Sequence, residues 1–190
     1  MKTLKKIGLG FLGLLVLLVV VAFLLPGKVH VERSLVIKAG AEPVYNQVNT
    51  LKNWEKWSPW HQIDPNMQLS YAGPGSGKGA TYSWKSDHDQ VGCGKLTIEE
   101  AQRNEFIKTA MDFDGMGTSY ASYKFETVAD GTKVTWGMDS DTEQMPWAFY
   151  VPSKYMNLFM DGLIGKDFEK GLNNLKNLVE SQPAAPSASL

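Results

Sequence analysis

Residues 146–180 constrain the fold more than any other stretch. Met156, Met160, Leu163, Ile164, Phe168, Leu172, Leu175, Leu178 and Val179 recur every three or four positions, while Lys154, Asp161, Lys166, Glu169, Lys170, Asn173 and Lys176 occupy the opposite side. That spacing predicts one long amphipathic helix. Helices in water are stabilised mainly by packing such an apolar stripe, so the rest of the chain must supply an apolar surface of matching length. The stripe runs from Met and aromatic residues before Phe168 to leucines after it. This change points to a cavity against its first half.

Upstream the period is two. Residues 29–38 (VHVERSLVIK) alternate as a half-buried strand does. Residues 41–51 place Val44, Tyr45, Val48 and Leu51 at helical spacing, with Pro43 in the first turn, where its missing N–H costs nothing. A second short helical segment lies in NWEKWSPW (53–60), where Pro59 must end any helix. Six strand patterns follow at 67–72, 79–85, 91–101, 105–113, 119–128 and 132–141, separated by GPGSG, SDHD, RN, DGMG and ADG. Asp130 and Gly131 between two alternating runs are a strong hairpin signal. Six successive strands without an intervening helix imply an antiparallel meander with helices covering one face, an α+β domain.

The N-terminal run 7–25 holds no charge and is closed by Pro26 and Gly27. It is long enough to cross a hydrocarbon core as a helix. Residues 1–27 therefore read as a single-pass membrane anchor, 28–180 as one domain, and 181–190, rich in small residues and prolines, as a disordered tail. The alternative is a cleaved signal peptide, with Val20 and Ala22 preceding a cut at Phe23. Lys2, Lys5 and Lys6 favour a cytoplasmic N-terminus and a domain outside the cytoplasm, on the periplasmic side in a Gram-negative envelope. Without those three lysines, 16 basic residues face 20 acidic ones. This mildly acidic balance excludes the basic footprint of a nucleic-acid binder. Cys93 is the only cysteine, so no intrachain disulfide forms, and it is expected in the core as a small hydrophobe.

The order of elements, NWEKWSPW at 53–60, YAGPGSGKGATYSW at 71–84 and the terminal helix together make the chain resemble the SRPBCC or START-like superfamily, specifically its polyketide cyclase/dehydrase-like branch, over residues 29–178. The resemblance implies a helix-grip fold: a curved seven-stranded antiparallel sheet around a long C-terminal helix, with an apolar cavity between them. It identifies the activity poorly, because members include lipid and hormone binders as well as cyclases.

Alternation alone places Ala80, Tyr82 and Trp84 on one face of their strand, Ala121, Tyr123 and Phe125 on one face of theirs, and Val134, Trp136 and Met138 on a third. These faces should meet the helix. Trp147, Tyr150, Met156 and Met160, near the helix start, should face a gap, with Trp57 and Trp60 as its lid and Trp54 as a structural anchor. Plain core packing is the alternative for each. GPGSGKGA (73–80) lacks the P-loop spacing and precedes a strand, so it reads as a hairpin. Asp87, His88 and Asp89 read as a solvated turn, and the pairs Asp112 with Asp114 and Asp139 with Asp141 as surface carboxylates. The residues assign no catalytic group, no metal site and no cofactor. The expected function is a membrane-tethered domain holding a hydrophobic or amphipathic, lipid-like molecule. Its alternatives are a cyclase/dehydrase-like enzyme using Asp139, His61 or Tyr82 for proton transfer, and an envelope module binding a protein through the Trp60 region.

Overall fold

The computed structural model describes residues 2–113, 117–145 and 147–182. It opens with a helix, α1 (Lys2–Leu24), that is long and apolar enough to cross a membrane or to serve as a signal sequence. Strand β1 (Lys28–Ile37), helix α2 (Ala41–Asn49), a 3-10 turn (Leu51–Lys56) and the short helix α3 (Pro59–Ile63) follow. The six predicted strands are β2 (Gln68–Ala72), β3 (Thr81–Lys85), β4 (Cys93–Gln102), β5 (Phe106–Asp112), β6 (Thr118–Val128) and β7 (Gly131–Asp141). Each lies within about two residues of its sequence-based bounds, the usual uncertainty of element ends.

All seven strands form one antiparallel sheet in the order β1-β7-β6-β5-β4-β3-β2. Strand β1 closes onto β7 over its whole length, from Lys28 opposite Asp141 to Ile37 opposite Thr132. The β6–β7 hairpin turns at Gly131, whose φ of 135° no β-branched residue tolerates. The faces fall as alternation requires: Tyr82, Leu96, Ile107, Tyr123 and Trp136 point to the helical side and are buried. By the same rule Cys93 pairs with Lys85 on the outward face and is exposed, which corrects the expectation of a core cysteine. Leu96 and Ile98 take the inward positions of β4.

The terminal stretch, predicted as one helix, is two: α4 (Trp147–Asn157) and α5 (Met160–Glu180). Between them the chain tightens, with the N–H groups of Leu158 and Phe159 donating to Tyr155 O and Met156 O, three residues back. Helix α4 is bonded to the residues that follow α1: Lys154 Nζ donates to Leu25 O (3.2 Å) and Asn157 Nδ2 to Gly27 O (3.4 Å). The apolar period runs unbroken through the turn, so it gave no warning. Pro146, the Asp114 member of its carboxylate pair, most of the DGMG turn, and residues 183–190 of the expected disordered tail lie outside the described residues.

Helix α5 lies across the concave face in a helix-grip arrangement. Phe168, Leu172, Leu175 and Val179 are each buried, worth about 1.5–3 kcal/mol apiece. Arg33 of β1 adds a polar clamp, donating to Glu169 Oε1 (2.8 Å) and to both Asp161 oxygens (2.8 and 3.1 Å). It holds the Asp161 carboxyl below its usual range. These partners face water, where ion pairs add little to stability, so the clamp sets orientation while apolar burial holds the helix.

At Gly171 the helix lies against the Trp136 indole: a Cβ there would lie 2.6 Å from Trp136 Cζ3 and 3.1 Å from Pro59 Cδ. Gly171→Ala is expected to destabilise the protein by about 1–3 kcal/mol, the usual cost of overpacking. Gly162→Ala, whose Cβ would meet nothing within 4 Å, is expected to gain about 0.5–1 kcal/mol from helix propensity. Urea midpoints of the full chain in mild detergent test both. A Gly171→Ala variant as stable as wild type is incompatible with this packing.

Candidate ligand-binding cavity

Near the start of α5 the curved sheet and the straight helix part, leaving a cavity of about 200 Å³. Its deep wall is Tyr82 of β3, Leu96 of β4, Tyr123 of β6, Trp136 and Met138 of β7, and Phe168 of α5, all buried. Trp54, His61, Met67 and Met111 fill in between, and the rim is Trp60, Trp84, Gln90, Val91, Phe113 and Ile164. Pro59 starts α3 and swings Trp60 and His61 toward the sheet, the Trp60 ring meeting Trp136 edge-on at 5.9 Å. Gly94 leaves room on β4 for the Trp84 indole, which a Cβ there would strike at 2.6 Å.

The lining is apolar, with polar atoms that find no partner. Buried indoles ordinarily donate their N–H. Trp54 donates to Val48 O (2.8 Å), Trp57 to Gln47 O (3.3 Å) and Trp84 to Val91 O (3.1 Å). Trp136 Nε1 is buried with no acceptor among the described residues, and so are both ring nitrogens of His61. Burial pushes the His61 imidazole below its usual 6.5, so the ring is neutral, with one donor and one acceptor nitrogen. Burial also raises the Tyr82 and Tyr123 phenols, which stay protonated. No lining residue carries a fixed charge. The space therefore suits an apolar body, and Trp136 and His61, whose ring nitrogens lack partners among the described residues, are part of its wall. At about 200 Å³ it lies below the roughly 300–1,000 Å³ of sites that enclose drug-sized ligands, so it admits a compact molecule or the end of a longer one.

Of the eleven residues singled out from sequence, Trp60, Tyr82, Trp84, Tyr123, Trp136 and Met138 come together around this cavity. Trp57 lies behind it, fully buried against Trp136 and Tyr123. Met160 packs on the core without lining the space. The break before α5 carries the others away: Trp147 is 90% exposed, Met156 is exposed, and Tyr150 packs on Phe23 of α1. Leu96 and Met111 could have been found by extending the alternation rule to β4 and β5. Phe168 sits where the helical stripe changes character. His61, Met67 and the loop residues Gln90 and Val91 carry no such signal. Asp139, weighed for proton transfer, lies on the outer face of β7 at 2.7 Å from His30 Nδ1, away from His61 and Tyr82. It raises the His30 pKa.

A family model described as polyketide cyclase / dehydrase and lipid transport matches residues 28–180. No curated protein matches the sequence. Among solved structures, a protein of unknown function from Staphylococcus aureus superposes with a TM-score of 0.61 at 14% identity, over 81% of this chain and 94% of that one. A Chromobacterium violaceum protein does so at 0.52 and 16%, over 83% and 100%. The di-domain ARO/CYC protein StfQ of the steffimycin biosynthetic pathway gives 0.58 and 10%, with 80% of this chain covering 51% of StfQ. At such identities the likeness is one of fold.

The unpartnered His61 has a consequence for stability. Its folded pKa lies below its unfolded value of 6.5, so protonation favours the unfolded chain, and stability is lost as pH falls below about 6.5. His61→Phe removes that loss: its stability should fall less than that of wild type between pH 7 and pH 5, by urea unfolding. His30 has a raised pKa, so its contribution is fully present below 6.5 and is lost as pH rises above it; it is common to both proteins and cancels. Parallel pH curves would place His61 in contact with solvent or a hidden partner.

Proposed function

Because the chain belongs to the polyketide cyclase/dehydrase and lipid transport family, we propose that residues 28–180 form a binding domain for a hydrophobic or amphipathic small molecule, tethered to a membrane by residues 1–27. Family membership supports a ligand-binding or cyclase-like role. One observation favours binding: an apolar cavity whose buried Trp136 Nε1 and His61 nitrogens lack partners. An unpaired buried donor costs about 1–3 kcal/mol, and a ligand oxygen would recover that. The ligand is lipid-like, with an apolar chain or ring system and a carbonyl or hydroxyl at its buried end. Tethering supports this reading, since it raises the concentration of the cavity near membrane-dissolved ligands without added affinity. Helix α1 acts as the anchor, with Lys2, Lys5 and Lys6 on the cytoplasmic side and the domain outside.

A cyclase- or dehydrase-like activity is a second reading, favoured by the neutral His61 lying 6.3 Å from the Tyr82 ring. Two groups of unlike acidity in one apolar space are what proton transfer to a bound carbonyl compound requires.

The test is to purify the full chain from membranes in mild detergent, extract it with organic solvent and identify bound molecules by mass spectrometry. A stoichiometric amphipathic ligand is expected. Trp136→Phe should weaken its binding about tenfold, the equivalent of one buried hydrogen bond. Met111→Trp, which fills the cavity, should abolish it with the circular dichroism spectrum intact. Recovery of no ligand, or equal recovery from all three proteins, would rule the carrier reading out.

A further inference from the structure

Outside α1, the exposed large apolar side chains of the described residues are Tyr71 and six others, all between positions 147 and 163: Trp147, Phe149, Met156, Leu158, Phe159 and Leu163. Large apolar side chains left exposed together in one short segment point to a docking site. What covers it follows from where α4 sits. The Tyr155 hydroxyl donates to Leu18 O at 2.7 Å, Lys154 Nζ reaches Leu25 O at 3.2 Å, and the Tyr150 ring lies 5.9 Å from Phe23. Helix α4 is therefore packed along the last turns of α1. Leu18 lies seven residues before Leu25, about 10 Å down the helix axis at 1.5 Å per residue. With residues 7–25 spanning the hydrocarbon, the outer boundary falls near Leu25, and the Tyr155 hydroxyl lies beneath it.

A helix held at that level cannot stand clear of the bilayer. Interfacial helices sink their apolar face about 5–10 Å below the headgroups, which agrees with this depth. The composition agrees as well. Trp147, Tyr150 and Tyr155 are the amphipathic aromatics enriched at membrane surfaces, and Lys154 and Asn157 satisfy the carbonyls of Leu25, Pro26 and Gly27 where the span ends.

We propose that α4 and the first turn of α5 lie in the outer interface of the bilayer, with Trp147, Phe149, Met156, Leu158, Phe159 and Leu163 among the lipids. This rests on the reading of α1 as a membrane span. Its consequence for the cavity is direct. Ile164, on the cavity rim, follows Leu163 in the chain, so the α5 side of the rim stands at the membrane surface. An amphipathic ligand passes between bilayer and cavity without crossing open water. The break at Leu158 and Phe159 is the device that turns α4 down onto the membrane while α5 stays in the grip of the sheet.

The test uses the full chain in vesicles of phosphatidylcholine and phosphatidylglycerol, with the photoreactive p-benzoylphenylalanine placed at Phe159, at Phe11 within the span, or at Tyr71 on the sheet. Phe159 is 64% exposed, so the replacement leaves the fold undisturbed. After irradiation, the mass of the labelled peptide reports what it touched. Lipid adducts are expected at 159 and 11 and none at 71. Adducts at 11 without adducts at 159 overturn the interfacial placement and leave the span standing. Absence at both positions removes the span itself and this placement with it. Capture of another polypeptide or of a second copy at 159 overturns the proposal in favour of a protein interface.

Discussion

The parallel stack of Trp136 on Phe168, with ring centroids 4.2 Å apart and planes within 13°, holds the C-terminal helix to the sheet. Gly171 makes it possible, because any side chain there would occupy the space of the indole. Around Trp136 the rings of Tyr123, Trp57 and Trp60 gather at 5.1, 5.7 and 5.9 Å, the last two edge-on, a geometry that aromatic quadrupoles favour. From this point toward the C-terminus, Leu172, Leu175 and Val179 close against the sheet. Toward the N-terminus the two surfaces diverge. The stack thus fixes both where the grip is tight and where the cavity begins.

What distinguishes that cavity from a packing defect is the state of its polar atoms. Three tryptophans that could have been left unpaired by chance are each supplied with a backbone carbonyl. The one at the centre of the stack is not, and neither is the imidazole on the facing helix. Satisfied polar groups are the rule in protein interiors; unpartnered buried atoms also occur at Gln47, Asn49, Ser58 and Asn104, but only Trp136 and His61 among them belong to residues that line this apolar space. Pro59, Gly94 and Gly171 position the walls, so the rim is set by backbone geometry more than by charge.

The two ends of the terminal stretch carry different duties. Most of helix α5 shows water a polar face held in orientation by Arg33, while α4 exposes Trp147, Phe149 and Met156 and leans on α1, and the turn after it exposes Leu158 and Phe159. A single straight helix could not do both, since its stripe would have to face the sheet along its whole length. Breaking it lets the same periodic pattern face the sheet in one part and pack beside α1 in the other.

Strand positions, the inward faces of Tyr82, Tyr123 and Trp136, the hairpin at Gly131 and the apolar N-terminal helix were all legible from residue order. Alternation and turn chemistry are local properties, written into neighbouring residues. The interruption at Leu158 and Phe159 was not, because apolar spacing is the same whether the partner is a sheet or a membrane. Cys93 was misplaced because its burial depends on a strand register that pairs it with Lys85, not on its own preference. Sequence alone determined which elements form and which way their side chains alternate. The tertiary structure decided that Trp147 and Met156 leave the cavity, that His61 enters it, and that Trp136 lies there unpaired, since each outcome is a distance between residues far apart in the chain.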